Sequence, residues 1–286
     1  MDVASPDVSI KLPKKVVIVY GVYINPNADW RNLIRLQLEE LRRSGVLSVA
    51  DLHVIVSNPS RAEGVSAFFD TVPVLIKYVE FHDENKFEYP AISHIWNLAN
   101  SQTDYKYIAY FHTKGMSYAK QRRNREEKIL THFTFSEWRR VLDVFDTRSD
   151  IHKIGLLPAN GENNRRWIWF NFWWIRSSFA RGLAKPEETL NRYYYETWIS
   201  SSDEDDTPNH CYSILSASGE VFSAQEALKI IKLLIWKMRY RNLYKIRNML
   251  SSRGMWPVPD FISKAKWTYP ELPASGRTEG IEGPVA

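Results

Sequence analysis

The chain has 286 residues, 44% of them hydrophobic, enough to bury the core of one large domain or of one domain with an appendage. A formal net charge of +5 suits a phosphate-bearing ligand or an anionic surface, but is too mild to mark a nucleic-acid-binding protein. Cys211 is the sole cysteine, which rules out an intrachain disulfide and fits a reducing compartment; Met1 to Pro13 lacks the apolar core of a signal peptide, and no run is long and apolar enough to cross a membrane.

Lys15 to Tyr20 is a β-branched run after Pro13 and predicts a buried first strand. Gly21 to Asn27 reads as a loop, with Asn25-Pro26-Asn27 supplying turn residues. Asp29 can cap a helix over Trp30 to Ser44, where Ile34, Leu38 and Leu41 recur at helical spacing, and Gly45 ends it. Asp51 to Ser57 and Val74 to Phe81 predict the second and third strands, and the polar loop Asp83-Glu84-Asn85 follows. Pro90 suits the first turn of a helix running to Asn100. Lys106 to Phe111 is the fourth strand. This alternation predicts an α/β fold, a mainly parallel sheet flanked by helices.

The middle of the chain changes character. Lys120 to Leu130 and Phe135 to Phe145 predict helices, and Ile154 to Pro158 a short strand. Arg166 to Arg176 (RWIWFNFWWIR) reads as one dense aromatic strand. Glu187 to Ser200 reads as a helix, and Asp203-Glu204-Asp205-Asp206 as a solvated acidic loop. A long basic helix is expected from Ser223 to Ser251. The tail after Pro270 has the composition of a disordered segment.

The fourth strand stops abruptly in chemically capable residues. Tyr107 to Phe111 are apolar and aromatic; His112, Thr113 and Lys114 follow, and Gly115 permits a sharp turn. Ligands of open α/β sheets sit just outside the carboxyl ends of strands. An imidazole, a hydroxyl and a cation there point to an anionic ligand such as a phosphate; the alternative is a solvated strand-to-helix loop. The remaining histidines show no ligand spacing, and neither a Gly-rich phosphate loop nor a nucleophilic serine motif is present.

Three segments together resemble glycosyltransferases of the GT-A fold found among bacterial and viral surface-polysaccharide enzymes. They are Phe87-Glu88-Tyr89-Pro90, Tyr110-Phe111-His112-Thr113-Lys114-Gly115, and Asn171-Phe172-Trp173-Trp174 followed by Tyr195-Glu196-Thr197-Trp198. The resemblance covers Lys15 to Ser200. It implies a GT-A-like, Rossmann-like domain over residues 14–220; it does not reach the rest of the chain, where composition and periodicity alone suggest a basic helical appendage over 221–265 and a disordered tail over 266–286. It implies transfer of a sugar from a nucleotide-diphosphate donor to a glycan or lipid-linked acceptor in the cytoplasm, with no nucleic-acid partner.

The resemblance also assigns roles. Where many such enzymes carry an Asp-x-Asp metal motif, this chain has His112-Thr113-Lys114, which puts a divalent Mg or Mn cofactor in doubt. Lys114 could meet the leaving diphosphate as a point charge without metal, and His112 could act there as a catalytic group or as a ligand. Thr113 and Arg123 are expected around the nucleotide phosphates, with Glu88 and Tyr89 at base or ribose. Glu196 is the expected acceptor base, or else the partner of Arg192 in a structural ion pair. Asn171 is expected to hydrogen-bond a sugar hydroxyl. Trp173 and Trp174 alternate across a strand, so one should be core while the other, taken as Trp173, stacks on sugar.

Along Leu228 to Leu250, apolar residues repeat at helical intervals with lysines and arginines between them. Such a helix can dock peripherally on the inner, anionic face of a membrane, or pack its apolar stripe on the domain. Two further classes stay open: a catalytically inactive GT-A-like scaffold, and a nucleic-acid-binding protein.

Overall fold

β1 (Val16–Tyr23) is buried on both faces over Val16 to Tyr20, the mark of a central strand covered on each side. The computed structural model describes residues 14–101, 103–114, 116, 126–160, 166–201 and 210–236. α1 (Trp30–Ser44) follows, capped by the Asp29 carboxylate, which accepts from the Asn32 amide, and closed by Gly45 at φ 75°. Next come β2 (Ala50–Ser57), the short α2 (Val65–Asp70), β3 (Tyr78–His82), α3 (Tyr89–Asn100) and β4 (Tyr107–His112). Then follow α4 (Glu126–Ser136), α5 (Trp138–Thr147), β5 (Lys153–Gly155), β6 (Pro158–Asn160), β7 (Arg166–Ile168), β8 (Trp173–Arg176), α6 (Ser177–Arg181), α7 (Arg192–Thr197) and β9 (Cys211–Ser213).

Seven strands form one sheet in the order β3-β2-β1-β4-β8-β5-β9, and β6 pairs with β7 in a separate hairpin. The β1, β2, β3 and β4 ladders are parallel, and β8 runs antiparallel between β4 and β5. β1 is flanked by β2 on one side and β4 on the other, so the strand order reverses there; in open sheets of this kind the reversal opens a crevice at the carboxyl ends.

Helices cover both faces. On one, Tyr20 stacks on Phe111 at 4.2 Å, and Phe111 meets Phe135 of α4 at 5.0 Å. On the other, Val17, Val19, Ile108 and Tyr110 pack with Ile92 and Ile95 of α3 and Phe179 of α6. No helix among the described residues is long and apolar enough to cross a membrane.

Three sequence expectations need correction. The aromatic run 166–176 is not one strand: it breaks at Trp169–Asn171, where Phe170 (φ 70°) and Asn171 (φ 59°) are both left-handed. Only Arg192–Thr197 and a following 3-10 turn are helical in the stretch expected as a helix from Glu187. The third strand begins at Tyr78, four residues later than expected.

The basic helix is described over residues 224–236. The Ser223 hydroxyl accepts from the Glu226 amide while the Glu226 carboxylate accepts from the Ser223 amide, a reciprocal cap. Ala227 and Ile231 are buried, whereas Leu228, Leu233 and Trp236 are exposed. The expected membrane-facing half of this helix, the acidic run 203–206 and the tail lie outside the described residues.

Candidate functional site

A cavity of about 230 Å³ opens at the carboxyl ends of the central strands. Its floor is Gly21 of β1, in register with Ile55 of β2 and His112 of β4. Gly21 is required there by close approach: a Cβ would lie 2.9 Å from the Tyr110 hydroxyl oxygen and 3.4 Å from the Ala91 Cβ. Phe87, Glu88, Pro90 and Ala91 form a wall at the amino end of α3, and Arg192 and Glu196 of α7 close the far side.

Glu88 is held in one orientation. Its Oε2 accepts from the Tyr110 hydroxyl at 2.8 Å and from the Asn171 amide at 2.5 Å. Burial and the neighbouring Glu88 carboxylate push the Tyr110 phenol well above its ordinary pKa, so it stays a donor. The Asn171 amide is itself oriented by Trp173. An indole N–H can only donate, and Trp173 Nε1 meets Asn171 Oδ1 at 2.5 Å, which leaves the Asn171 NH₂ for Glu88 and for the Tyr195 carbonyl at 3.2 Å.

His112 is fixed at both ends. Buried Gln37 of α1 donates to its backbone carbonyl at 3.2 Å, and Gln37 in turn accepts from the Tyr20 hydroxyl at 2.6 Å. The ring Nε2 lies 3.1 Å from the Phe170 carbonyl, an acceptor, so Nε2 carries the hydrogen. Nδ1 then faces Glu88 Oε1 at 3.9 Å.

The structure brings Glu88, His112, Thr113, Lys114 and Glu196 together around this cavity. Lys114 Nζ lies over the Phe170 ring at 4.9 Å and makes no ion pair among the described residues. Arg192 stacks over Tyr193 at 4.9 Å and makes none with Glu196, whose carboxylate has no hydrogen-bond partner among the described residues. Thr113 lines the cavity, but its hydroxyl accepts from the Tyr23 amide at 2.8 Å and ties β4 to β1.

Three expected site residues, Trp173, Asn171 and Tyr89, stand elsewhere. Trp173 is fully buried, as is Trp174, because helices cover both faces of the sheet; neither offers a face for sugar stacking. Asn171 is 1% exposed and its amide is consumed by Glu88, Trp173 and Tyr195, so it orients the site from beneath. Tyr89 points away, lining a second hollow with Glu80, His82 and Lys86. Arg123 lies outside the described residues. Sequence reasoning missed Gly21, Phe87 and Tyr110 as parts of the cavity, and Arg192 as one of its cations. Gly21, directly after an apolar run, was the available signal for a close backbone approach.

The residues present do not fit a divalent metal of the kind the resemblance implies. Among the described residues lining the cavity, Glu88 Oε2 is already occupied by two donors, and the remaining Glu88 oxygen, the His112 nitrogen and the Glu196 carboxylate do not converge on one point beside Lys114, whereas Mg²⁺ and Mn²⁺ favour oxygen-rich sets. Among the described residues no three His, Cys, Asp or Glu side chains converge to hold a metal.

No protein-family profile matches the chain, and no curated protein sequence matches it.

Proposed function

We propose that the protein is a glycosyltransferase of GT-A type, which moves a sugar from a nucleotide-diphosphate donor to a glycan or lipid-linked acceptor at the cytoplasmic side of a membrane. The observation that carries this reading is the charge arrangement of the cavity. Two cations with no carboxylate partner among the described residues, Lys114 and Arg192, share one concavity with the carboxylates Glu88 and Glu196 at the point where the strand order reverses. Unpaired cations suit a diphosphate, whose charge rises as it leaves. The amino end of α3, at Glu88 and Pro90, adds a favourable dipole for an anion. Phe87 and Tyr23 provide apolar surface for a base or a sugar ring.

Calorimetric titration with UDP-, GDP- and dTDP-hexoses, with and without EDTA, tests the reading, followed by a donor-hydrolysis assay. One nucleotide class should bind and turn over. Binding without turnover leaves an inactive GT-A-like scaffold. Failure of every nucleotide sugar to bind, with tight binding of an oligonucleotide instead, overturns the reading.

A further inference from the structure

Two backbone segments at this cavity are strained, and both aim at the same pair of side chains. Phe87 (φ 52°) immediately precedes Glu88. Phe170 (φ 70°) and Asn171 (φ 59°) are consecutive left-handed residues, neither of them glycine. Such positions are sparsely populated by residues other than glycine, and Phe in particular keeps one only where surrounding structure imposes it. Here the kink does two things at once. It points the Phe170 carbonyl at His112 Nε2 and the Asn171 amide at Glu88 Oε2.

We infer that His112 and Glu88 form a proton-accepting pair in this cavity, with His112 Nδ1 taking the proton and Glu88 Oε1 holding the resulting charge. The tautomer is preset, because the Phe170 carbonyl claims the Nε2 hydrogen and leaves the Nδ1 lone pair for a substrate hydroxyl. On protonation, the new Nδ1–H needs to close only the 3.9 Å gap to Glu88 Oε1, the oxygen not engaged by Tyr110 and Asn171. Among the described residues, the other groups against the ring are Tyr110, stacked at 6.0 Å, and Phe172 at 5.2 Å, and the remaining charges of the cavity are Lys114, Arg192 and Glu196. Glu196 is less suited to this role, since no hydrogen bond among the described residues orients its carboxylate.

Resting on the glycosyltransferase reading, the step is a direct displacement. His112 Nδ1 removes the proton from the acceptor hydroxyl, whose oxygen bonds to the anomeric carbon. The bond from that carbon to the diphosphate oxygen breaks, and the diphosphate departs with the electron pair toward Lys114 and Arg192. Glu88 is then a positioning residue and His112 the catalytic one.

The test uses full-length protein labelled with ¹⁵N-histidine, with His112 assigned by the signal missing from His112→Gln. Nitrogen shifts should show hydrogen on Nε2 and none on Nδ1 near neutral pH. In the transfer assay Glu88→Gln should lower kcat about tenfold or more with the donor KM kept within a few-fold, the mark of a residue that positions the base. An Nδ1–H tautomer overturns the pair without any substrate being needed, and a kcat indifferent to Glu88→Gln removes Glu88 from it. In the transfer assay, His112→Gln should lose about a hundredfold or more in rate with donor affinity kept within a few-fold, while Glu196→Gln loses less than about tenfold. The reverse ranking would reassign the base to Glu196. A wild-type protein that turns over no nucleotide sugar sinks the transfer reading alone, because the tautomer still decides the pair.

Discussion

The Tyr110 hydroxyl reaches Glu88 Oε2 at 2.8 Å across space that exists because residue 21 has no side chain. Tyr110 is fully buried and cannot swing away from an added Cβ without giving up that bond. Gly21→Ala should therefore destabilise the fold by about 1–3 kcal/mol, the usual cost of overpacking a core, and disturb Glu88 as well. Removing the hydroxyl in Gly21→Ala/Tyr110→Phe should recover part of that stability. Urea denaturation of the two variants checks this, and a Gly21→Ala protein as stable as wild type would refute it.

Lys114 is the cation closest in sequence to the paired His112, and among the described residues it has only an aromatic ring against it. If it meets the donor diphosphate, Lys114→Ala should weaken nucleotide-sugar binding by about 1–3 kcal/mol, the range for losing a hydrogen bond to a charged group. Arg192→Ala should weaken it in the same direction. Wild-type affinity should also fall with added salt. Calorimetry on folded variants reads all three effects, and unchanged affinity in Lys114→Ala removes its role.

How far the sequence revealed this arrangement depended on whether the signal was local. α1 was legible end to end, because its apolar spacing, the Asp29 cap and Gly45 all sit within one segment. The carboxyl end of β4 was legible too, as an apolar strand giving way to His112, Thr113 and Lys114. The kink at Phe170 and Asn171 was hidden, since left-handed backbone without glycine leaves no local mark; tertiary contacts impose it. Trp173 was misread as a sugar platform because alternation shows that two neighbours face opposite ways, not that both sides are covered. The bond from Asn171 to Glu88 spans 83 residues, beyond any periodicity.

Gly155 of β5 carries a second close approach. A Cβ there would sit 2.3 Å from Cγ2 of Ile168, which is fully buried. Ile168 leads into the kink that holds His112, so this contact bears on the site as well as on stability. Gly155→Ala should cost about 1–3 kcal/mol or more, and Ile168→Ala alone about 2–5 kcal/mol. The double variant should lose clearly less than the sum, because the second change removes the atoms that the first one meets. Additive losses in chemical denaturation would show that the two positions do not share this space.

Away from the cavity, His53 Nδ1 and His94 Nε2 lie 2.9 Å apart between β2 and α3, with Tyr78 stacked on His94 at 4.8 Å. His53 is 6% exposed and its Nε2 has no hydrogen-bond partner among the described residues. Burial, and then the neighbouring His94, push its pKa down to about 4; Asp51 opposes the shift and Lys77 adds to it. Burial lowers His94 too, with Glu80 opposing. The unfolded chain binds a proton on His53 near pH 6.5, whereas the folded protein resists until about pH 4. Between those values the unfolded state holds more protons, so stability rises with pH and is lost as pH falls from about 6.5 toward 4. The loss should be on the order of 2 kcal/mol after allowing for water at the ring edge. His53→Leu should flatten this acid limb while leaving Asp51, Lys77 and Tyr105 to hold the strand ends together. Thermal unfolding of both proteins at pH 7 and pH 4.5 measures it, and an equal acid loss in the two would place the sensitivity in some other group.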